Sequence, residues 1–269
     1  MGLRQIISKV TGCVSFYAIN GRLKKGAALV LENIDDRRRI DTAHGSFTVR
    51  VGNTLERWRS DTLVTKEPET ISWLDDTVTS NSVFYDAGAN IGLYSLYALH
   101  QFPGQTKAVC FEPEALNFAR LNQNLYDNTF SEQATPFAIG LGKAEDIIQF
   151  RLSRLQAGRA LHGDRHVPEG AHEHRQGLII MSLDQLVFGD HGLPQPTHLK
   201  IDVDGPELDI LRGAKKTLAL PSLRHVLVEL EDSERKKANK ILNEAGFILT
   251  MEGAAEGAMR NVIYHKEVI

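Results

Sequence analysis

Residues suited to ligand chemistry lie together in the stretch VFYDAGANIGLYSLYALHQF, from Val83 to Phe102. A short apolar run ends at Asp86, and a pattern with helical spacing begins near Ile91. The turn between them contains Gly88, Asn90 and Gly92. Glycine lets a backbone turn tightly and approach a ligand, and the first strand-to-helix turn of a wound sheet is a common ligand cradle. The N–H groups at the helix start favour a negatively charged group such as a carboxylate. The alternative is a turn that needs glycine for geometry alone.

A second acid, Glu112, follows the next predicted strand, 24 residues after Gly88. An acid at that point is positioned to accept hydrogen bonds from both hydroxyls of a ribose. Hydrogen bonds to a charged acceptor contribute roughly 1.5–3 kcal/mol each. Asp86, just before the turn, would repel a pyrophosphate but could hold an ammonium group. A ligand with a ribose, an amino group and a carboxylate matches S-adenosylmethionine.

Other nucleotide ligands fit this turn less well. A dinucleotide fingerprint requires G-x-G-x-x-G, and Asn90 and Leu93 occupy its second and third glycine positions. The Gly-Lys-Ser/Thr ending of a phosphate-binding loop is absent. A nicotinamide-dependent oxidoreductase is therefore a weaker alternative. The second alternative is a non-catalytic nucleoside-binding module. Such a module would retain the glycines but would not need charges on the fourth strand.

The fourth predicted strand does carry charges. The segment HLKIDVDG is expected to place Lys200, Asp202 and Asp204 on one face, because side chains alternate along a strand. Charged groups on a buried strand need partners or a chemical role. We predict that Asp202 is the base or acid at the methyl-transfer site and that Lys200 orients the acceptor. Glu229, near the end of the fifth strand, is a supporting catalytic candidate.

Two alternatives remain open for these charges. The first is an ion network that pins the strand to Asp184 or Arg212. The second is a Mg²⁺ ion held by Asp202, Asp204 and Glu229, since carboxylate oxygens are its preferred ligands and the ion would acidify an acceptor hydroxyl. The sequence indicates only these three carboxylates, which do not complete the coordination of a Mg²⁺ ion.

The elements that must position these residues alternate regularly from Val83 onward, as expected for a parallel sheet wound with helices. Strands are predicted over Val83–Asp86, Ala108–Glu112, Thr135–Ile139, His198–Val203 and His225–Leu230. Helices are predicted to begin near Ile91, Glu114, Leu183, Pro206 and Ser233. The end of the chain differs, because FILTMEG and MRNVIYHK predict two strands without an intervening helix. The fold class is therefore α/β, a wound parallel sheet that ends in an antiparallel hairpin.

Two segments depart from this alternation. Residues 1–80 are predicted to form an N-terminal cap on the main domain of residues 81–269, with a strand in SFTVRVGN and a short helix in ETISWLDDTV. The segment RLQAGRALHGDRHVPEGAHEHRQG is predicted to be an insertion at about residues 154–176, a mobile lid over the acceptor site. Its histidines match no standard zinc spacing.

Five ordered blocks of the sequence resemble the FkbM-type S-adenosylmethionine-dependent methyltransferases. The blocks are FYDAGANIGLYSLYA, CFEPEALNFARLNQNL, MSLDQL, HLKIDVDGPELDILRGA and VLVEL, and the resemblance extends over roughly Thr62 to Phe247. It implies a class I methyltransferase (Rossmann-like) fold and O-methylation, commonly of a sugar or polyketide hydroxyl. One departure is Asp202-Val203-Asp204-Gly205, where the family usually reads aspartate-valine-glutamate-glycine.

Composition limits the partners. The 269 residues carry a formal net charge of -3, which gives no reason to expect nucleic acid, and aromatic stacking positions for bases are not evident. The N-terminus lacks the continuous apolar stretch of a signal peptide or a membrane span, so a cytoplasmic protein is expected. The two cysteines, Cys13 and Cys110, make no disulfide framework. We expect a small-molecule or sugar acceptor, and the sequence leaves homo-oligomerisation open.

Overall fold

The computed structural model describes residues 36–152, 156–159, 174–255 and 257–267. The chain divides between Arg37 and Arg38, and the fold below is that of the second unit, Arg38–Ile269. Cys13 and most of the predicted insertion lie outside the described residues.

Strands and helices alternate along most of the described chain. The strands are β1 (Arg37–Thr42), β2 (Gly45–Arg50), β3 (Val83–Ala87), β4 (Lys107–Phe111), β5 (Ala134–Phe137), β6 (Gly140–Leu141), β7 (Asp146–Leu152), β8 (His174–Met181), β9 (His198–Ile201), β10 (His225–Glu231), β11 (Ile248–Glu252) and β12 (Met259–His265). The helices are α1 (Thr54–Lys66), α2 (Pro68–Thr77), α3 (Leu93–Gln101), α4 (Ala115–Asp127), α5 (Leu183–Phe188), α6 (Glu207–Arg212), α7 (Lys215–Leu218) and α8 (Arg235–Glu244).

The main sheet has seven strands in the order β11-β12-β10-β9-β3-β4-β5. β10, β9, β3, β4 and β5 are parallel to one another, whereas β12 pairs antiparallel with both β10 and β11. The predicted wound sheet with a closing antiparallel hairpin is therefore confirmed. Each of the five predicted parallel strands is present, with ends shifted by a few residues at most.

Both faces of the sheet are covered by apolar side chains. Alternation sends Phe84 toward the layer that contains Trp73 and Leu96, while Tyr85 points into the opposite layer with Leu208. Cys110 is a buried free thiol, as expected. Because Trp73 belongs to α2, residues N-terminal to the sheet share its core. The division into a cap over 1–80 and a domain over 81–269 stays a prediction.

The N-terminal region contains more regular structure than its sequence period suggests. β2 and α2 confirm the predicted strand and short helix. α1 was not predicted, because its polar composition hides a helical period. Its start is fixed by Asn53, whose side chain accepts hydrogen bonds from the backbone N–H groups of Leu55 and Glu56. The Glu56 carboxylate accepts from the Asn53 N–H in return, which completes a capping box.

A small three-stranded sheet, in the order β6-β8-β7, borders the predicted insertion. β7 and β8 pair antiparallel, from Asp146 opposite Ile180 to Leu152 opposite His174. The end of β7 at Leu152 and the start of β8 at His174, which border the insertion, are therefore neighbours in this sheet. The exact bounds of the insertion, about 154–176, stay a prediction, although β8 already begins at His174.

Candidate active site

The glycine turn after β3 adopts the backbone conformation that its sequence predicts. Gly88, Asn90 and Gly92 have φ values of 83°, 51° and 89°, in the left-handed region. A Cβ atom at Gly88 would collide with the backbone carbonyl oxygen of Asp202, so only glycine fits there. The turn therefore lies directly against the end of β9.

Glu112 connects this turn to the end of β4. Its Oε2 accepts a hydrogen bond of 2.8 Å from the Asn90 N–H, and its Oε1 accepts one of 2.8 Å from the Glu114 N–H. Oε2 has a further lone pair for a ligand hydroxyl, while the second lone pair of Oε1 accepts a long hydrogen bond of 3.5 Å from the Asn117 amide. Burial raises the pKa of Glu112 to about 7, against the lowering effect of these N–H donors.

Residues 156–159, at the start of the predicted insertion, lie against this turn. The Asn90 and Asn117 side-chain amides donate to the Arg159 carbonyl at 2.9 and 3.0 Å. Asn117 Oδ1 accepts from the Gly158 N–H at 2.7 Å. Asn53 and Arg59 of the α1 region donate to the Ala157 and Gly158 carbonyls, respectively. We call residues 156–159 the strap.

Lys200 and Asp202 form an ion pair of 2.7 Å at the end of β9. The Lys200 side chain is 1% exposed, whereas that of Asp202 is 26% exposed. Burial alone would lower the pKa of Lys200, but the carboxylates of Asp202, Asp86 and Glu67 raise it above its ordinary value. Burial raises the pKa of Asp202, and the Lys200 ammonium outweighs that effect and lowers it overall. Asp202 is therefore an ionised carboxylate beside a fixed cation.

Two further side chains hold the Lys200 ammonium in place. Lys200 Nζ lies 4.9 Å from the centroid of the Tyr94 ring, within the range of a cation–π contact. The Tyr94 hydroxyl donates to Glu67 Oε2 at 2.7 Å, and Lys66 pairs with the other oxygen of Glu67 at 2.8 Å. Neither Tyr94 nor Glu67 was predicted from the sequence.

Burial raises the pKa values of the neighbouring acids. Burial, reinforced by the Asp202 carboxylate, raises the pKa of Glu229 to about 9. Burial raises the pKa of Glu207 to about 7, and its Oε1 accepts from the Gly205 N–H at 2.9 Å. At neutral pH Glu229 is a hydrogen-bond donor, while Asp202 is an acceptor.

These groups line one cavity of about 620 Å³ at the carboxyl edge of the sheet, where ligands bind in wound sheets. Its walls contain Gly88, Asn90, Glu112, Lys200, Asp202, Asp204 and Glu229 of the predicted site. Its other charged lining residues are Arg59, Lys66, Glu67, Arg159, Glu207, Glu231 and Glu234. Three of the predicted cofactor residues thus share a cavity with the predicted catalytic residues, whereas Asp86 and Gly92 do not line it.

Asp86 lies beneath this cavity. It pairs in register with Lys200 on the neighbouring strand, and its Oδ2 accepts a hydrogen bond of 2.6 Å from the Ser95 hydroxyl. Its Oδ1 is buried with no hydrogen-bond partner among the described residues. Burial raises the pKa of Asp86, although Lys200 acts in the opposite direction. A role for Asp86 in holding an ammonium group stays a prediction.

The end of β9 differs from its prediction in one respect. The strand ends at Ile201 and not at Val203, because the chain turns at Asp204 and Gly205, whose φ values are 60° and 140°. Asp204 therefore leaves the strand, although it still lines the cavity.

The alternative ion network with Asp184 or Arg212 is wrong. Asp184 accepts hydrogen bonds from the backbone N–H groups of Lys216 and Thr217, and Arg212 pairs with Asp209. The charges at the end of β9 therefore have other partners.

The magnesium alternative gains no support. Within the described residues, no group of three or more His, Cys, Asp or Glu side chains is arranged to hold a metal ion. Of the insertion's histidines, the structure describes His174, which is exposed at the start of β8.

The residues that sequence reasoning missed lie on α1 and α3 and between α1 and α2. Trp58, Arg59 and Lys66 of α1, with Glu67 and Tyr94, line the cavity. The spacing of Leu55, Trp58, Arg59, Thr62 and Lys66 along the sequence indicates one helical face. This spacing is the feature of the sequence that indicates α1. It is difficult to recognise because the face is mostly polar and shows little hydrophobic periodicity.

The sheet order, the reversed strand β12 and the glycine turn beside an acid at the next strand end together define a class I methyltransferase fold. The sequence matches the family described as Methyltransferase FkbM domain over residues 86–251. The chain belongs to this family and is an S-adenosylmethionine-dependent methyltransferase. The oxidoreductase and the non-catalytic alternatives are thereby set aside.

Relatives of the chain include two methyltransferases. The chain is 31% identical over 202 residues to the hexuronic acid methyltransferase AglP of Haloferax volcanii, covering 74% of this chain and 76% of that protein. It is 26% identical over 201 residues to methyltransferase sdnD of Sordaria araneosa, covering 65% of this chain and 77% of that protein.

A solved structure of methyltransferase FkbM from Methylobacillus flagellatus has the same fold, with a TM-score of 0.50 and 16% identity. The match covers 80% of this chain and 56% of that one, so this chain spans little more than half of that structure. Across the described residues, no helix has both the length and the apolar character required to cross a membrane.

Proposed function

We propose that this methyltransferase transfers the methyl group of S-adenosylmethionine to a hydroxyl of a sugar acceptor. The observation that carries the proposal is the Lys200–Asp202 ion pair, which opens into the same cavity as the glycine turn and Glu112. The similarity to a hexuronic acid methyltransferase supports a sugar or another small molecule as acceptor.

The cofactor would be held at the β3 and β4 side of the cavity. Gly88, which cannot carry a Cβ, lets the turn close against the Asp202 carbonyl and so fixes the turn at the edge of the cavity. Glu112 would accept a ribose hydroxyl with the remaining lone pair of Oε2. Gly92 shapes the start of α3, since a Cβ there would meet Leu121 Cδ1 at 2.5 Å. When bound, the cofactor supplies an electrophilic methyl group on a sulfonium.

The β9 and β10 side of the cavity would then act on the acceptor. Asp202, ionised and partly exposed, would take the proton of the acceptor hydroxyl while the acceptor oxygen bonds to the methyl carbon, the carbon–sulfur bond breaks and S-adenosylhomocysteine leaves. Lys200 keeps Asp202 oriented and offsets negative charge that develops on the acceptor oxygen. Glu229, neutral at pH 7, donates a hydrogen bond to a second acceptor hydroxyl.

The test is methyl transfer from labelled S-adenosylmethionine to simple glycosides, by wild type and by Asp202→Asn. Asparagine keeps the shape of the side chain and an oxygen that accepts from Lys200. We expect turnover to fall roughly 10²–10⁴-fold, the usual contribution of a positioned general base, with unchanged affinity for S-adenosylhomocysteine. Asp209→Asn, which removes an exposed ion pair with Arg212 on α6, is the matched control.

Near-normal turnover by Asp202→Asn would contradict the role of Asp202. In that case Glu229→Gln becomes the decisive variant, because Glu229 lines the same cavity. If a chelator abolished wild-type activity, a metal ion would have to replace the direct base.

A further inference from the structure

One face of α1 forms a wall of the active-site cavity. Leu55, Trp58, Arg59, Thr62 and Lys66 line it. The adjacent face of the helix packs inward through Glu56, Ser60 and Leu63, which are buried, and Leu63 also borders the cavity. The other cavity-lining side chains of α1 are not part of the core, and their residue types are available for recognition.

Trp58 is the unusual residue on this face. It is 45% exposed, whereas the second tryptophan of the chain, Trp73, is 4% exposed in the core. A half-exposed indole leaves a large apolar surface in contact with water, and such surfaces commonly mark ligand sites when they line a cavity. The helix that carries Trp58 is fixed by the Asn53 capping box, so the position of the ring is set by a rigid element.

The position of Trp58 assigns it to the acceptor and not to the cofactor. Trp58 also lines an adjoining pocket of about 480 Å³, together with Glu67, Glu229 and Met259. The described walls of that pocket do not include Gly88, Asn90 or Glu112 of the glycine-turn side. Trp58 and Glu229 thus line both the main cavity and the adjoining pocket.

The chemistry around the indole suits a sugar ring. One face of a pyranose presents C–H groups, which pack on an aromatic face, while its edge presents hydroxyls. Neutral Glu229 can donate to a hydroxyl, and the Glu67 carboxylate can accept from one. A purely apolar acceptor would leave these polar groups unpaired, which is costly.

We propose that Trp58 is the stacking platform for the pyranose ring of the acceptor, in a subsite shared with Glu229. This inference rests on the proposed function and adds to it the residue that selects a cyclic sugar. Trp58 contacts the acceptor ring, and the methyl-transfer chemistry takes place at Asp202.

The first experiment uses Trp58 as its own reporter. In a Trp73→Phe background Trp58 is the only tryptophan of the chain. Methyl glucopyranoside and methyl glucuronide are titrated with S-adenosylhomocysteine present at saturation, and sorbitol serves as a control that has hydroxyls but no ring. We expect the glycosides to quench or shift the emission and sorbitol to leave it unchanged. An equal response to sorbitol, or no response to either glycoside, would overturn the proposal.

The second experiment measures methyl transfer by Trp58→Leu and Trp58→Phe. We expect Trp58→Leu to raise the KM for the glycoside by a factor of about 2–10, the size expected for one aromatic contact. Trp58→Phe should recover most of that loss, and S-adenosylhomocysteine affinity should stay unchanged in both variants. Tyr126→Leu, a change at an exposed aromatic residue on α4, is the control.

The outcomes separate this inference from the proposed function. Wild-type transfer to glycosides with an unchanged KM in Trp58→Leu would overturn the platform alone. A loss of S-adenosylhomocysteine affinity in Trp58→Leu would assign the indole to the cofactor and also overturn it. No wild-type transfer to any glycoside would contradict both proposals.

Discussion

The Lys200–Asp202 pair combines a buried cation with a carboxylate that reaches the cavity. Taking two charges out of water costs free energy that their mutual attraction often does not recover, so stability alone is a weak reason for such a pair. The carboxylates around Lys200 and the ring of Tyr94 hold it charged in a place where burial disfavours charge. A fixed cation beside an ionised carboxylate is an arrangement suited to positioning a hydroxyl group.

Tyr94 is expected to position Lys200 through its ring. Tyr94→Phe keeps the ring and loses the hydrogen bond to Glu67, whereas Tyr94→Leu also loses the cation–π contact. We expect Tyr94→Leu to lower kcat for methyl transfer by about tenfold and Tyr94→Phe to restore most of it, in line with roughly 0.5–2 kcal/mol for such a contact. Equal loss in the two variants would contradict the ring's role and point to the hydrogen bond with Glu67.

Glu112 is expected to control cofactor affinity. Glu112→Gln removes the charged acceptor, and we expect the Kd for S-adenosylhomocysteine to rise about tenfold or more, because one charged hydrogen bond contributes roughly 1.5–3 kcal/mol. Calorimetry measures this directly. Since the pKa of Glu112 is raised to about 7, wild-type affinity should also fall as the pH drops below about 7, and Glu112→Gln should lack that dependence. A variant that binds as tightly as wild type would remove Glu112 from the cofactor site.

At the scale of elements, the strap joins parts of the fold that are distant in sequence. It is hydrogen-bonded to the α1 region through Asn53 and Arg59, to the glycine turn through Asn90 and to α4 through Asn117. Asn90 and Asn117 also lie next to Glu112, whose oxygens accept from both. The strap and the predicted ribose site are therefore in direct contact.

Loosening the strap is expected to weaken cofactor binding without unfolding the chain. Asn117→Ala removes the contacts with Gly158 and Arg159. We expect the Kd for S-adenosylhomocysteine to rise by a factor of about 5–10, equivalent to one or two neutral hydrogen bonds. Asn122→Ala, on the same helix but bonded to the Phe118 carbonyl, is the control. Equal affinities for the two variants, measured by calorimetry, would show that the strap is not coupled to the cofactor.

At the scale of the whole molecule, a row of histidines crosses the sheet on the face that α2 covers. His198, His225 and His265 occupy neighbouring positions on β9, β10 and β12. The rings of His198 and His225 stack at 4.6 Å, and those of His225 and His265 lie 4.8 Å apart. Burial lowers the pKa of His198 to about 3 and that of His225 to about 4, the latter assisted by His265 and Arg224.

This row is expected to make the fold acid-sensitive. The folded-state pKa of His225 lies below its ordinary value of 6.5, so the unfolded chain takes up the proton first as the pH falls. The stability contribution is present above about pH 6.5 and is lost on acidification. His225→Phe keeps a ring in the stack but removes the titrating group. When the pH falls from about 7 to 5, we therefore expect the unfolding free energy of wild type to decrease by about 1–2 kcal/mol more than that of the variant. Urea unfolding at several pH values measures the difference, and parallel curves would contradict it.

The sequence by itself determined the order of the elements and the chemistry of the turn. Hydrophobic runs of strand length, the helical periods between them and two final strands without a helix define the wound sheet and its closing hairpin. Gly88 and Glu112 were recognisable because a left-handed turn and an acid at a strand end are local features. Each of these two features is recognisable from a few consecutive residues.

Only the tertiary structure decided which distant residues share the cavity. α1 has a polar face with little apolar period, so Trp58 and Glu67 gave no strong local signal, and the packing of the helices beside β9 brings them to Asp202. The partners of the charges on β9 were also undecidable from sequence, since a network with Asp184 or Arg212 stayed open until the hydrogen bonds of those two residues were known. Ionisation depends on burial and on charges from several strands, so the raised pKa of Glu229 is a property of the folded molecule and not of its sequence neighbours.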